Sequence, residues 1–363
     1  MRNRRSRLSR LLWAAILVGV VLSHAQAASA QVKPSGGWAP LGQLPVDQGG
    51  AGLRGYALAG EDTEVTASGA NQFSFHGLAS NNLYREETPS FLVLQRHETH
   101  TATLGYRRGF AVAGSHRGEI GGHVQLHQRD GGFLNGFITG FEDVWVAVTG
   151  NDSSKNVLRT SSATLPPLGT LVRQDGRAIY RDDGRGSGFG DVYVVAKLVL
   201  ADGQPSSKAA RVSARLAVNI AGTRQFSAGN FAGIGVSLDR KLVSWAAFHG
   251  DVRATLILDR SSVWNLPLKR ASVGFSIGPE FKLTRNSSLS LQYDGASTPY
   301  TQTGTLVFDK GYGDITLGAG FRKTVGGRAL VVQLYARENL NLPLSVRPNV
   351  DPDVSFGLKV TLR

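Results

Sequence analysis

The sequence predicts an all-β protein, a transmembrane antiparallel β-barrel of about 12 strands with a short amphipathic helix in one long loop. Three observations predict it: an export leader, polar/apolar alternation repeated in stretches of about ten residues, and connections that alternate between short and long.

The leader comes first. Arg2, Arg4, Arg5, Arg7 and Arg10 form a basic region, Leu11 to Leu22 is an apolar run, and Ala28-Ser29-Ala30 offers small residues for cleavage before Gln31. A run of that length suits a signal-peptide core and is short for a membrane-spanning helix. Residues 1–30 therefore read as a signal peptide and 31–363 as the exported chain. Beyond the leader no stretch approaches eighteen consecutive apolar residues, so the exported chain crosses lipid as strands or not at all.

Composition narrows the chemistry. The chain has no cysteine, which removes thiol catalysis and thiolate metal sites and calls for a fold that is stable without disulfides. A closed barrel is such a fold, because its wall pairs its own backbone groups. Five of the forty Lys and Arg leave with the leader, so the formal charge of +13 falls to +8. These basic residues are dispersed, and an exported chain without a basic stripe is not expected to bind nucleic acid.

The strands follow from alternation. Val273, Phe275, Ile277, Phe281 and Leu283 share one face, and Gly274, Ser276, Gly278, Glu280 and Lys282 share the other. Val354, Phe356, Leu358, Val360 and Leu362 repeat the pattern against Ser355, Gly357, Lys359 and Thr361. Twelve such segments centre on Phe75, Leu104, Val124, Val195, Leu216, Gly235, Ala254, Ile277, Leu291, Leu317, Val332 and Leu358. Counted from a periplasmic N-terminus, Ala201–Lys208, Asp239–Val243, Thr284–Ser288 and Thr324–Arg328 are the short inner turns. Gly131–Ser187, Asp259–Arg270, Ser297–Gly313 and Asn339–Pro352 are the longer outer loops. A secreted β-sandwich also alternates, but its strands are nearer five or six residues and its wet face is richer in charge.

One segment breaks the rhythm. Phe133, Phe137, Phe141 and Trp145 recur every four residues between Gly131 and Val148, which predicts a short amphipathic helix inside a long connection. It reads either as a plug over the barrel mouth or as a surface helix resting its aromatic face on the rim. The remainder, Thr149 to Ser187, is rich in Gly, Asp, Ser and Arg and reads as mobile loop.

Here the chain resembles a known group. Gly131-Gly132-Phe133-Leu134-Asn135-Gly136, Gly140-Phe141-Glu142-Asp143 and Gly188-Phe189-Gly190-Asp191-Val192 resemble motifs of the outer-membrane family numbered 3187 among domains of unknown function. Asn135 stands where that family has Asp, Glu142 where it has His, and a Gly-Leu-Pro stretch after Trp145 is missing. The resemblance implies an outer-membrane barrel and no reaction. Resemblance to outer-membrane barrels in general implies assembly by the membrane's own insertion machinery, which reads an aromatic last residue. This chain has Leu362-Arg363 there and keeps the amphipathic strand.

Alternation projects Lys197, Arg211, Arg215, Arg253, Lys282, Arg322, Arg337 and Lys359 to the polar face, together with Asp191, Glu280, Asp294 and Asp314. A charge facing lipid at midplane costs about 2–4 kcal/mol, so these residues are expected to point into the lumen. There they form either a selective ring or a packed lumen in which opposite charges pair. Of seven exported histidines, His123 and His127 lie four apart on a strand, about 13 Å, too far to share a metal. No Gly-x-Ser-x-Gly elbow is present, and only His76, on the first strand, invites comparison with a barrel-embedded hydrolase. No cofactor and no metal site are expected. The functional expectation is passive or gated passage of small solutes through a polar, mildly cationic lumen. The alternative is a non-conducting structural or lipid-binding barrel, and an enzyme comes third. Lipid, the insertion machinery and a small solute are the expected partners of a monomeric chain.

Overall fold

The computed structural model describes residues 38–45, 58–112, 117–131, 134, 168–203, 209–301, 303–309, 311–339 and 354–363. Its strands, in chain order, are β1 Asn71–Glu87, β2 Phe91–Ala111, β3 Arg117–Asp130, β4 Gly169–Gln174, β5 Arg177–Asp182, β6 Gly186–Ala201 and β7 Arg211–Ile220. They continue with β8 Phe231–Val243, β9 Ala246–Ile257, β10 Ala271–Lys282, β11 Ser287–Ala296, β12 Tyr312–Val325, β13 Arg328–Asn339 and β14 Ser355–Leu362.

Neighbours pair antiparallel all round, and β1 closes the ring by pairing with both β14 and β2. The closed wall leaves out β4 and β5, so it has twelve strands. Each of the twelve predicted centres falls in its own wall strand. Closure matters energetically, because an open edge in hydrocarbon would leave unpaired N–H and C=O groups at several kcal/mol each.

Alternation sorts the side chains as expected. Leu216, Ile234, Val252, Val273, Leu317 and Leu334 are exposed on the outside, whereas Ser237, Ser276, Ser290, Gln292, Thr316 and Gln333 are buried inside. A continuous apolar belt of this kind is stable only against lipid. The inner turns are tight: Gly326 and Gly327, at φ 56° and 78°, join β12 to β13 as only glycine does without strain.

The outer connections differ from the expectation in one place and are short in another. The stretch Thr149–Ser187 is not all loop. β4 and β5 form a hairpin across Asp175-Gly176, at φ 48° and 77°, and β4 pairs with the outer part of β2, Phe91 to Arg96. That Asp-Gly between β-rich runs is a hairpin signal that composition obscured. The β1–β2 connection is only Thr88-Pro89-Ser90, because the two strands themselves run 17 and 21 residues. Of the predicted segment, Gly131 and Leu134 are among the described residues, and Leu134 is buried. Phe133, Phe137, Phe141 and Trp145 lie outside them, as does the leader.

A charged plug and an aromatic cap in the lumen

The lumen is occupied by the chain itself. Before entering β1, residues 38–45 run up from the end of the barrel that carries the tight turns and residues 58–66 run back down. Leu41 and Gly42 donate their N–H groups to the Glu280 carboxylate at 2.8–3.1 Å. Leu44 exchanges two hydrogen bonds with the Gln292 amide, at 3.0 and 3.2 Å. Trp38 Nε1 donates to Ser288 at 3.1 Å, and Arg322 donates to the Pro40 carbonyl at 3.1 Å. On the descending leg, Leu58 N–H meets Thr255 at 3.2 Å and Thr66 N–H meets Glu119 at 2.8 Å.

Inward-facing glycines make the room. A Cβ on Gly318 would stand 2.6 Å from Leu44, one on Gly320 2.8 Å from Leu41, and one on Gly233 2.6 Å from Leu58. These positions sit on the polar face for space.

Charge fixes the lower part of the descending leg. Glu61 receives two hydrogen bonds from Arg107, at 2.8 and 2.9 Å, and Lys197 lies 3.4 Å away. Asp62 lies 3.6 Å from Lys197 and 3.3 Å from Arg363, while Glu64 pairs with Arg322 at 3.4 Å and with Arg363. Burial pushes the Glu61 and Asp62 carboxyls up. The attraction of Arg107, Lys197 and Arg215 outweighs it at Glu61, and that of Lys197, Arg363 and Lys359 at Asp62, so both titrate below the usual range. Arg363 thus faces inward and holds the plug.

The wall carries its own network. Arg215 pairs with Asp251, which also accepts from Arg253 at 3.0 Å and Ser237 at 2.8 Å. His249 stands between Asp239 at 2.7 Å and Glu280 at 2.9 Å. Asp239 in turn accepts from Thr63 of the descending leg, at 3.1 Å from its N–H. One imidazole therefore links the carboxylates that grip the two legs.

Of the residues predicted to face the lumen, Lys197, Arg215, Arg253, Glu280 and Asp314 are buried there. Arg337 pairs with Asp314 at 3.3 Å, Arg322 holds the plug, and Lys359 lines a cavity beside it. Arg211 sits near the inner rim, paired with Asp202 at 3.1 Å. Lys282 corrects the expectation. It ends β10 at the rim and is exposed to solvent, because the strand stops before carrying it inside. The basic residues do not ring an open pore; most of them pair with acids of the wall or plug.

Above the plug the lumen is apolar. Trp264, Leu266, Tyr300 and Phe308, from the β9–β10 and β11–β12 connections, pack in one cluster with Phe231, Ile257, Val172 and Leu58. Trp264 stacks on Tyr300 at 6.3 Å, and Tyr300 meets Phe308 edge-on at 4.8 Å. Asp191 organises the neighbouring β7–β8 connection by accepting from Ser227 at 2.6 Å, Ala228 N–H at 2.9 Å and Gly222 N–H at 3.2 Å. The preceding Gly190 could not carry a Cβ, which would fall 2.2 Å from the His127 ring. That is the physical content of the Gly-Asp motif at the start of β6.

Three described histidines of the wall make aromatic contacts. His76 bonds and stacks with Tyr335, His123 stacks on Tyr193 at 4.7 Å, and His127 stacks on Phe226 at 5.7 Å. His100 lies 3.9 Å from Glu98 and 3.6 Å from Asp130, two acids paired across β2 and β3.

Sequence reasoning missed Gln43, Glu61, Asp62, Glu64, Asp239, His249 and Asp251. The acidic run Glu61-Asp62-Thr63-Glu64, set just before a wall with surplus Lys and Arg, was the available signal.

The wall has a solved counterpart. The structure is similar to the COG4313 outer membrane channel from Pseudomonas putida F1, at TM-score 0.52 and 11% identity over 83% of this chain and 98% of that one. The NanC porin matches at TM-score 0.40 and 8% identity over 80% and 99% of the two chains, and the CymD monoaromatic hydrocarbon channel at 0.40 and 10% over 92% and 98%. No family model matches the chain, and no curated protein does.

Proposed function

We propose that the protein is an outer-membrane channel for small polar solutes, held closed by its own N-terminal segment. The observation that carries this reading is how the plug is attached. In residues 38–45 and 58–66 the contacts to the wall are separate side-chain hydrogen bonds and ion pairs, not a β-ladder. Such contacts exchange with water or with a charged solute one at a time, whereas a ladder yields only as a unit. The leader and the lipid-facing belt support export to the outer membrane and insertion by its assembly machinery. Membership of the family numbered 3187 belongs to the same proposal, through the Gly188-Phe189-Gly190-Asp191-Val192 start of β6. The apolar cap favours a second reading, a barrel that never conducts.

A disulfide lock separates the two. A Cβ on Gly60 would stand 2.7 Å from Ser276 Oγ, close enough for Gly60→Cys with Ser276→Cys to bridge in a chain that has no other cysteine. In planar bilayers the unmodified chain is expected to open intermittently. The oxidised double variant should be silent, with openings returning on reduction. Openings that ignore the lock would place the path elsewhere, and silence from both chains would establish the non-conducting barrel.

A further inference from the structure

A cavity of about 140 Å³ lies between the plug and the wall. Plug residues Gln43, Glu61, Asp62 and Glu64 line it, with Arg107, Lys359 and Arg363 from the wall. Two of these groups stand out because their needs are not met by the protein. Gln43 is 3% exposed, and among the described residues neither its Nε2 nor its Oε1 has a hydrogen-bond partner. A buried amide left in that state costs on the order of 1–3 kcal/mol, so its retention calls for an explanation.

Lys359 is the second. Glu61, Asp62, Glu64 and Glu119 are matched by Arg107, Lys197, Arg322 and Arg363, each within 4 Å of at least one of these acids. Lys359 is left over. Among the described residues it has no ion pair, and Asp62 acts on it only from beyond that range. The cavity is therefore lined by one cation with no acid within 4 Å among the described residues, and by an amide with a donor and an acceptor to spare.

We propose that this cavity binds a small hydroxycarboxylate or a similar organic anion, its carboxylate on Lys359 and its hydroxyl and carboxylate shared with the Gln43 amide. A volume of 140 Å³ is close to that of an engineered cavity that takes up benzene, which limits the ligand to about six non-hydrogen atoms. Because Gln43 belongs to the plug and Lys359 to β14, the anion bridges the part that moves and the part that stays. This assignment rests on the channel reading and gives it a substrate class.

The test is calorimetric titration of the refolded exported chain in micelles with glycolate, and with glycolamide as the uncharged control. Glycolate is expected to bind and glycolamide not. Lys359→Gln should weaken glycolate at least about thirtyfold, the low end for removing one partner of a desolvated charge pair, and Lys359→Arg should retain it. Circular dichroism and heat-modifiable gel mobility confirm that each variant is folded. Equal binding of glycolate and glycolamide, equal binding by Lys359→Gln, or no binding at all overturns the site. Bilayer recordings on the same preparation keep the two readings apart. Glycolate binding in a silent barrel overturns the channel and leaves the site, whereas openings without glycolate binding do the reverse.

Discussion

The two ends of this lumen are closed by different physics. Toward the outside, Trp264, Tyr300, Phe308 and Phe231 exclude water by burying apolar surface, a non-directional interaction that tolerates small shifts but not the loss of a ring. Toward the end with the tight turns, Glu61, Asp62 and Glu64 are held by Arg107, Lys197, Arg322 and Arg363. Each of those contacts is directional, and a competing ion can replace it. The apolar end contributes stability, and under the proposed function the charged end is the part that can release.

The largest expected effect breaks the cap. Trp264→Ala should cost about 3–5 kcal/mol, as for other buried aromatic truncations, and lower the denaturant midpoint in micelles. Trp38 emission, which reports on the plug, should stay unchanged until unfolding. A loss under about 1 kcal/mol would show that the cluster is not a packed core.

Next comes Glu280→Gln, which removes the charge that accepts from Leu41 and Gly42 and faces His249. Its cost should be about 2 kcal/mol, the range for hydrogen bonds to an ionised group. Unlike the cap variant, it should raise the frequency of openings in bilayers. An unchanged opening frequency would mean that the ascending leg is not what closes the lumen.

The smallest effect at neutral pH is the response to acid, and it sharpens the contrast. Glu61 and Asp62 titrate below their unfolded values of about 4, so the stability they contribute is fully present above that pH. It is lost only as pH falls through the lowered folded-state values. Openings should therefore be flat from pH 7 to 5 and rise below about pH 4, while the packed cluster of Trp264, Tyr300 and Phe308, which carries no charge, stays intact. A rise already at pH 6 would assign the latch to a different group.

How much of this was legible depends on what repeats. The wall was, because alternation in β10 and β14 leaves Val273 or Leu358 no other face to occupy. The plug was not. Its path from Trp38 to Thr66 has no period, and its Gly and Pro content reads as a linker. Its contacts are made one side chain at a time with residues up to 301 positions away in the chain, as Asp62 does with Arg363. Local pattern cannot carry that information. Lys282 shows the complementary failure: alternation gives the face of a residue but not where the strand leaves the barrel.

The position of Arg363 ties assembly to closure. It extends β14, the strand that joins β1 to seal the wall, and it is also the cation that Asp62 and Glu64 share. Until that seam forms, those acids lack part of their counter-charge, although the segment that bears them is synthesised first. The seam that completes the cylinder therefore also completes the latch, and a partly inserted chain is left both unsealed and unlocked.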